Sequence, residues 1–246
     1  MCTLSFLPAK DGYAAAMNRD ELRMRPPALP PAIYTAGELS LVYPRESAGG
    51  TWIGSNSRGT LLALLNWYSM ETEKLGEKSR SRGEIIPIAL QESDFRGTER
   101  VLRQLDLEGI HPFRLFAFFP AEQEIREWRW DTRQLITHSH AWLRQHWFSS
   151  SRSDEHAAAD RGAACAQAWR GEPVSPSVWL RELHASHVPG PGPFSVCVHR
   201  EDAATVSYTE MEWKRGELQM RYLAGNPCQA PVLQEVWSLP APTIIQ

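Results

Sequence analysis

Residues 2–7 alternate between apolar and polar side chains, with the period of two that is typical of a half-buried strand. Asp11-Gly12 follows and predicts a tight hairpin turn, and the small apolar run 13–17 predicts the partner strand. In this register Cys2 lies opposite Glu21. The first pattern in the chain therefore brings a thiol beside a polar, charged segment.

The pattern farther along predicts strands first, helices in the middle and strands at the end. Further strands are expected at 40–43, 51–55, 60–67, 113–119, 124–130, 135–138, 194–200, 204–213 and 217–223, and helices at 83–91, 96–105, 154–170 and 176–186. The proline-rich segment 26–31 is typical of an extended connection between elements. This order indicates an α+β protein in which helices cover sheets.

Cys2 offers more chemistry than any other residue. Aminopeptidases remove an initiator methionine when the next side chain is small, and Cys2 would then carry both a thiol and a free α-amine. The α-amine has a pKa of about 7.7–8.0 and the thiol one near 8.5, so one residue supplies a nucleophile and a general base. A nearby arginine such as Arg19 lowers the pKa of a thiol. The alternatives are a small buried cysteine and a solvated turn over 18–21.

Composition and charge narrow the class of protein. The chain has 246 residues, 42% of them hydrophobic, which suits a single globular domain over 1–246. A net charge of −3 argues against a nucleic-acid partner, and no apolar run reaches the roughly 18 residues of a transmembrane helix. Four widely spaced cysteines without a secretory signal predict reduced thiols and a cytoplasmic location.

The sequence predicts neither a cofactor nor a metal site. His138 with His140, and His184 with His187, are spaced to share one face of a strand or a helix. Neither pair lies in a CxxC or HExxH context, so zinc is not expected at either.

Several short motifs resemble one known family. They are the start Met-Cys-Thr, the run Met-Asn-Arg-Asp-Glu at 17–21, the run Gly-Gly-Thr-Trp-Ile-Gly at 49–54, an Asn that ends the apolar run 61–66, and Ser-Arg-Gly-Glu at 81–84. Together they resemble the NRDE family, also called the transport and Golgi organisation protein 2 family, specifically over residues 2–84. That family is similar to N-terminal nucleophile hydrolases of the choloylglycine hydrolase and penicillin V acylase kind.

The resemblance implies a fold and a catalytic site. The fold is a four-layer αββα sandwich, with two antiparallel sheets flanked by helices. Cys2 is the implied nucleophile, Arg19 and Asp20 are its supports, and Asn66 is the implied oxyanion donor. A fixed donor at the oxyanion of an acyl transfer is worth roughly 2.7–4 kcal/mol.

Four further residues are candidates for contact with the substrate. Asn18 lies in the same motif as the supports, and Ser150 stands where the family has an asparagine. Trp52 and Trp67 flank the implied site, where they either line an apolar pocket or fill a core.

Departures from the family pattern leave two functions open. The supports run Asn-Arg-Asp-Glu instead of the hydrolase order Arg-Asn-x-Asp, and Asp202 falls on a family arginine unless Arg200 substitutes for it. The first hypothesis is an amidohydrolase that acts on a non-peptide C–N bond of a small lipophilic amide after Met1 is removed. The second is a non-catalytic protein that binds haem or an acyl lipid, with Cys2 as a ligand or a contact.

Overall fold

The computed structural model describes residues 1–47, 49–70, 79–229 and 235–240, which fold into two compact units. The first unit contains the described residues within Met1–Pro27, Leu143–Glu212 and Gln219–Val236. The second contains those within Ala28–Trp142, Trp213–Leu218 and Trp237–Gln246. Each unit is assembled from separate stretches of chain. That residues 1–246 form a single domain remains a prediction.

Every predicted helix forms, and so does every predicted strand except the one at 194–200. The strands are β1 (Cys2–Ala9), β2 (Gly12–Leu22), β3 (Leu29–Ala36), β4 (Leu39–Arg45), β5 (Ile53–Asn56), β6 (Leu61–Asn66), β7 (Phe113–Phe119), β8 (Glu124–Trp130), β9 (Leu135–His140), β10 (Gln145–Ser149), β11 (Ala203–Lys214), β12 (Glu217–Ala224) and β13 (Glu235–Pro240). The helices are α1 (Ile85–Ala89), α2 (Phe95–Gln104), α3 (Asp154–Ala168) and α4 (Pro176–His184), with a short 3₁₀ helix at Arg82–Glu84. None of these helices has the length and the apolar character to cross a membrane.

Two sheets organise these strands. One has six strands in the order β10-β1-β2-β11-β12-β13, and the other has seven in the order β3-β4-β5-β6-β7-β8-β9. Every neighbouring pair in the seven-stranded sheet is antiparallel, as are β10–β1 and β1–β2 in the other. The strand that holds Cys2 is thus an interior strand with a partner on each side.

The hairpin at the start of the chain forms, but its predicted register is wrong by two residues. Ala9 pairs with Gly12, and Cys2 pairs with Arg19 instead of Glu21. The positive φ of 152° falls on Gly12 after the turn, so Lys10 and Asp11 occupy the turn itself. Glycine adopts such a φ readily because it has no Cβ.

The polar face of β1 is buried, against the expectation of a half-buried strand. Thr3 and Ser5 are fully buried because helices α3 and α4 pack against this sheet, α3 on β10 and α4 on β1 and β2. Their hydroxyls are paired with buried cationic or imidazole groups from those elements, as buried polar groups must be.

Two further sequence predictions need correction. The proline-rich segment 26–31 leads into a strand, β3, which tolerates prolines because it lies at the sheet edge and carries a bulge. The expected strand at 194–200 is instead an irregular segment held by the isolated bridges Gly192–Val198 and His199–Ala204. Strands β10 and β13 had no prediction.

The two helices of the first unit begin as predicted. Ser153 accepts a hydrogen bond from the backbone N–H of His156 at 3.1 Å and so caps α3. Pro176 occupies the first turn of α4. Their apolar faces form two buried clusters with the sheet, made by Phe148, Ala157, Ala164, Cys165, Leu183 and Val196, and by Leu7, Ala14, Ala16, Leu180 and Tyr208.

In the second unit, two of the family motifs meet through their glycines. The backbone N–H of Thr51 donates to the carbonyl of Gly83 at 3.0 Å. A Cβ added to Gly50, whose φ is 80°, would lie 2.9 Å from the backbone carbon of Gly83. Only glycine permits this close approach of the two segments. Both motifs therefore have a structural role in packing these segments together.

Two neutral histidines share one serine hydroxyl in the first unit. His184 Nε2 and His146 Nδ1 lie 2.9 and 2.8 Å from Ser5 Oγ. Burial lowers the pKa of His184 to about 3, helped by the nearby His146 and Arg161. Burial, with Arg144 adding to it, lowers the pKa of His146 to about 4. Both rings are therefore neutral in the folded protein at neutral pH.

We expect this pair to make the protein acid-sensitive. Below the usual histidine pKa of 6.5, the unfolded chain binds protons that the folded chain excludes, so the free energy of unfolding falls as pH drops towards 4. Each histidine contributes a slope of up to roughly 1.4 kcal/mol per pH unit. Urea unfolding between about pH 7 and pH 4.5 measures it.

The variant His146→Gln keeps a side chain that can donate to or accept from Ser5, and it should flatten the slope by about one proton. His156→Gln, on the exposed side of α3, is the control and should leave it unchanged. An unaltered slope in both His146→Gln and His184→Gln would refute the explanation.

Candidate functional site

Cys2 lies between two partner strands at the start of β1. It pairs with Arg19 of β2 on one side and with Ser149 of β10 on the other. Cys2 is 6% exposed. The predicted support Arg19 therefore pairs directly with Cys2. The predicted support Asp20 and the predicted contact Ser150 each lie one residue beyond a partner of Cys2.

Met1 continues the ladder beyond Cys2 and is itself buried, at 7% exposure. Its terminal ammonium donates to the carbonyl of Asp20 at 3.2 Å, and its carbonyl accepts from the Asp20 N–H at 2.9 Å. Its sulfur lies 3.0 Å from both Ser151 Oγ and Arg200 Nη1. The methionine thus occupies a recess beside Cys2, with a cation and a hydroxyl at its end.

Burial dominates the acidity of Cys2 while Met1 is attached. It raises the pKa of the thiol above its usual value, and the Asp20 carboxylate adds to the rise. The terminal ammonium, the Asp20 N–H and Arg19 act in the opposite direction without outweighing burial. Arg19 lowers the pKa of the Cys2 thiol as expected, but the thiol is not acidic while Met1 is attached.

Asp20 is a buried carboxylate with two specific partners. Oδ1 accepts from Thr205 Oγ1 at 2.7 Å, and Oδ2 lies 3.4 Å from Nη1 of Arg161. Burial raises the pKa of Asp20, and the Arg161 guanidinium opposes that rise. The neighbouring Arg19 points to a different partner, Glu21, at 3.4 Å.

Arg161 is the residue that sequence reasoning missed. It is fully buried on α3, where Nη1 donates to the carbonyl of Cys2 at 3.1 Å and to Thr3 Oγ1 at 2.9 Å. The signal was available, since Arg161 lies four residues after Ala157 and four before Cys165 on the apolar face of a predicted helix. An arginine on such a face indicates a buried partner.

The predicted substrate contacts are used differently. Asn18 is fully buried, and its side-chain N–H groups donate to the carbonyls of His184 and Val196, both at 2.9 Å, which favours a positioning role. The N–H of Ser150 donates to Asp154 Oδ1 at 2.7 Å. Ser150 is thereby fixed at the start of α3 rather than free to move.

The other three predicted residues belong to the second unit. Asn66 ends β6 and donates to the hydroxyl of Tyr68 at 2.7 Å. Trp52 is 6% exposed, and Trp67 lies beneath the guanidinium of Arg129, 5.9 Å from the ring centroid. The roles of Asn66, Trp52 and Trp67 at Cys2 stay predictions.

We expect the Asp20–Arg161 pair to control the stability of the first unit. Arg161→Met leaves the buried Asp20 carboxylate without its cation, which costs about 3–5 kcal/mol. Adding Asp20→Asn removes the unpaired charge and should recover much of that loss. Urea unfolding of the two single variants and the double variant measures the coupling. The exposed Arg152→Met should change stability by less than about 0.5 kcal/mol, and additive effects in the cycle would contradict the interpretation.

Comparison with solved structures confirms the predicted fold class. The structure of penicillin V acylase from Agrobacterium tumefaciens aligns with a TM-score of 0.53 at 14% identity, over 91% of this chain and 86% of that one. A mutant of the conjugated bile acid hydrolase from Clostridium perfringens aligns with a TM-score of 0.52 at 11% identity, over 97% of this chain and 96% of that one. At such identities the likeness shows the fold alone, that of the N-terminal nucleophile hydrolases.

Comparison by sequence identifies the family. No curated protein matches the chain. The family model described as Transport and Golgi organisation 2 matches residues 1–186, which include Cys2, the hairpin, the glycine motifs and Arg161. The chain therefore belongs to the Transport and Golgi organisation 2 family.

Proposed function

We propose that the protein is an N-terminal cysteine amidohydrolase that cleaves the C–N bond of a small, non-peptide amide once Met1 is removed. The observation that carries the proposal is the pairing at the chain start. Cys2 faces Arg19 on an interior strand, and the terminal group is held at Asp20, whose carboxylate is buried against Arg161. Burying charged groups destabilises a fold. Such groups therefore cluster at functional sites, here beside a nucleophile and a terminal amine.

Removal of Met1 changes the chemistry of Cys2 in two ways. It takes away the side chain that fills the recess next to Cys2, so the burial that raises the pKa of the thiol is reduced. It also makes the Cys2 nitrogen the terminal amine, one residue closer to the sulfur, where its positive charge favours the thiolate more strongly. Both changes lower the pKa of the thiol.

The reaction then follows from groups on one residue. The neutral α-amine takes the thiol proton, and the thiolate forms a C–S bond with the amide carbon. Collapse of the tetrahedral oxyanion breaks the C–N bond, and the ammonium returns the proton to the leaving amine. Water, deprotonated by the α-amine, attacks the thioester and releases the acid and the thiol. Asn66 is our predicted donor to the oxyanion.

The kinship supports the class of substrate. The similar structures are named penicillin V acylase and conjugated bile acid hydrolase, and the second is a mutant in which the cysteine at its second position is replaced by alanine. We therefore propose an N-acylated small molecule as substrate. The predicted location of the protein is the cytoplasm.

The test compares two preparations of the protein that differ at the first residue. One retains Met1, and the other begins at Cys2 after a leader is cut off by a site-specific protease. Only the second should hydrolyse chromogenic N-acyl amides and show an acyl adduct on Cys2 by mass spectrometry after acid quenching. Cys2→Ala should lose roughly 10³-fold or more in rate.

The control variant is Cys165→Ala, a buried cysteine of α3 outside the site, which should keep its activity. Intact mass of the protein from its own cells shows whether Met1 is absent there. Retention of Met1, or equal rates from both preparations, would rule out the mechanism.

A second candidate, acyl-lipid binding, is favoured by one cavity in the first unit. The cavity has a volume of about 710 Å³ and is lined in part by Leu7, Leu143, Trp169, Lys10 and Arg144. Its size suits a small ligand. Its apolar wall carries two cations, Lys10 and Arg144, against one acidic residue, Glu172, and this excess of positive charge suits a chain that ends in a carboxylate. It lies at the far end of β1, roughly 17 Å along the strand from Cys2 at about 3.3 Å per residue.

Haem at Cys2 does not fit this form of the chain. A thiolate ligand needs an accessible, ionised sulfur, whereas Cys2 is 6% exposed with a raised pKa while Met1 is attached. Of the two binding alternatives we therefore retain the acyl lipid, and we place it in the cavity rather than at Cys2.

We expect long-chain fatty acids to bind this cavity. The guanidinium of Arg144 lies 4.2 Å from the ring centroid of Trp169, so a bound carboxylate should change the tryptophan fluorescence. Arg144→Ala should weaken binding by about tenfold, as the loss of one charged contact predicts, and Trp169→Phe should remove the signal. Arg133→Ala, an exposed arginine of the second unit that does not line the cavity, is the control. Saturable binding that is unaffected by Arg144→Ala would exclude the site.

A further inference from the structure

Four side chains from three separate segments of the first unit meet at one point. His187 follows α4, Cys197 and His199 lie in the irregular segment before β11, and Cys228 lies in the turn after β12. One nitrogen or sulfur atom from each lies within 4.8 Å of all the others. Two histidines and two cysteines in this arrangement are a zinc ligand set.

The distances are close to those that a tetrahedral metal site requires. His199 Nε2 lies 3.3 Å from Cys228 Sγ and 3.7 Å from Cys197 Sγ. Zn–N and Zn–S bonds of about 2.0–2.3 Å set tetrahedral edges of roughly 3.3–3.8 Å. Two measured edges fall in that range, and an edge at the 4.8 Å limit would shorten by about 1 Å on binding.

The state of these groups without a metal is unfavourable. His187 Nε2 is buried and has no hydrogen-bond partner among the described residues, although a buried polar atom normally has one. Its ring meets that of His199 edge-on, with centroids 4.8 Å apart. A bound cation would use the orphaned nitrogen and stabilise both thiolates.

We propose that His187, Cys197, His199 and Cys228 bind one zinc ion in a closed structural site. Four protein ligands leave no position for water or substrate, which separates a structural site from a catalytic one. Binding replaces the two thiol protons, so Zn²⁺ enters and two protons leave. The inference does not depend on the proposed hydrolase activity.

The site would order a segment that has little regular structure of its own. The Cys197 N–H donates to the carbonyl of Ser186 at 3.0 Å, and the Val198 N–H donates to Thr205 Oγ1 at 2.8 Å. Thr205 in turn donates to Asp20, and Arg200, next to His199, reaches the sulfur of Met1. The metal would thus support the wall of the recess at the chain start without touching it.

Sequence patterns gave no sign of this site. The histidine pair 184/187 is split, because His184 bonds to Ser5 and only His187 joins the cluster. The ligands spread over the 42 residues from His187 to Cys228, with a single residue between Cys197 and His199, so no zinc-binding motif of short spacing exists. Only the folded chain brings them together.

The test measures metal in the full-length protein purified without chelator. We expect one zinc per chain by elemental analysis, and a thiolate-to-metal charge-transfer band with tetrahedral d–d bands when Co²⁺ replaces it. Zinc at about 1,000-fold over its Kd should raise the Tm of the stripped protein by roughly 8 °C or more. Cys228→Ser, at a half-buried position, and His187→Gln should lose both the metal and the Tm shift.

Controls and opposing outcomes are built into the same measurements. Cys165→Ala and His156→Gln remove a cysteine and a histidine outside the cluster and should keep one zinc per chain. Zinc well below one per chain in protein refilled with Zn²⁺, or equal loss in the control variants, would overturn the proposal. So would a Cys197–Cys228 disulfide, seen as the loss of two hydrogens by intact mass in protein isolated without reductant.

Discussion

The ion pair between Asp20 and Arg161 is the interaction on which the start of the chain depends. Arg161 extends from α3 to the carbonyl of Cys2, the hydroxyl of Thr3 and the carboxylate of Asp20. A buried charge without its partner costs several kcal/mol, so α3 and the first hairpin are stable only in this one arrangement. The position of Cys2 follows from that constraint, because its backbone is one of the bonded groups.

The same burial that stabilises the chain start also suppresses the chemistry of its thiol. Met1 prolongs the ladder by two hydrogen bonds to Asp20 and fills the recess near Arg200. With Met1 attached, Cys2 is a buried neutral thiol, whose behaviour is that of a small apolar residue. Processing of the terminus is therefore a physical condition for nucleophilic chemistry, since it supplies the amine and reduces the desolvation of the sulfur together.

The irregular segment around Cys197 and His199 connects this chain start to the rest of the first unit. It lacks the continuous ladder of a strand and is held by isolated bridges and by side-chain bonds, including those from Asn18 and Thr205. Four ligands converging there would give it the rigidity that ladder hydrogen bonds give a strand. The proposed hydrolase site and the proposed zinc site would then be neighbours in the fold with separate chemistry, the first opened by removal of Met1 and the second closed.

Local patterns in the sequence were enough to determine much of this protein. Period-two alternation, turn residues and helix caps predict most of the strands and all four helices, and the motif at 17–21 places polar groups beside Cys2. The hairpin register, the burial of Thr3 and the pairing of Asp20 with Arg161 were decided by tertiary structure. Those features depend on which distant surface covers each face of a strand, and a one-dimensional pattern states that a residue is polar without stating what it meets. Burial by those distant elements also sets the acidity of Cys2, which is why its chemistry could be located from the sequence but its ionisation could not.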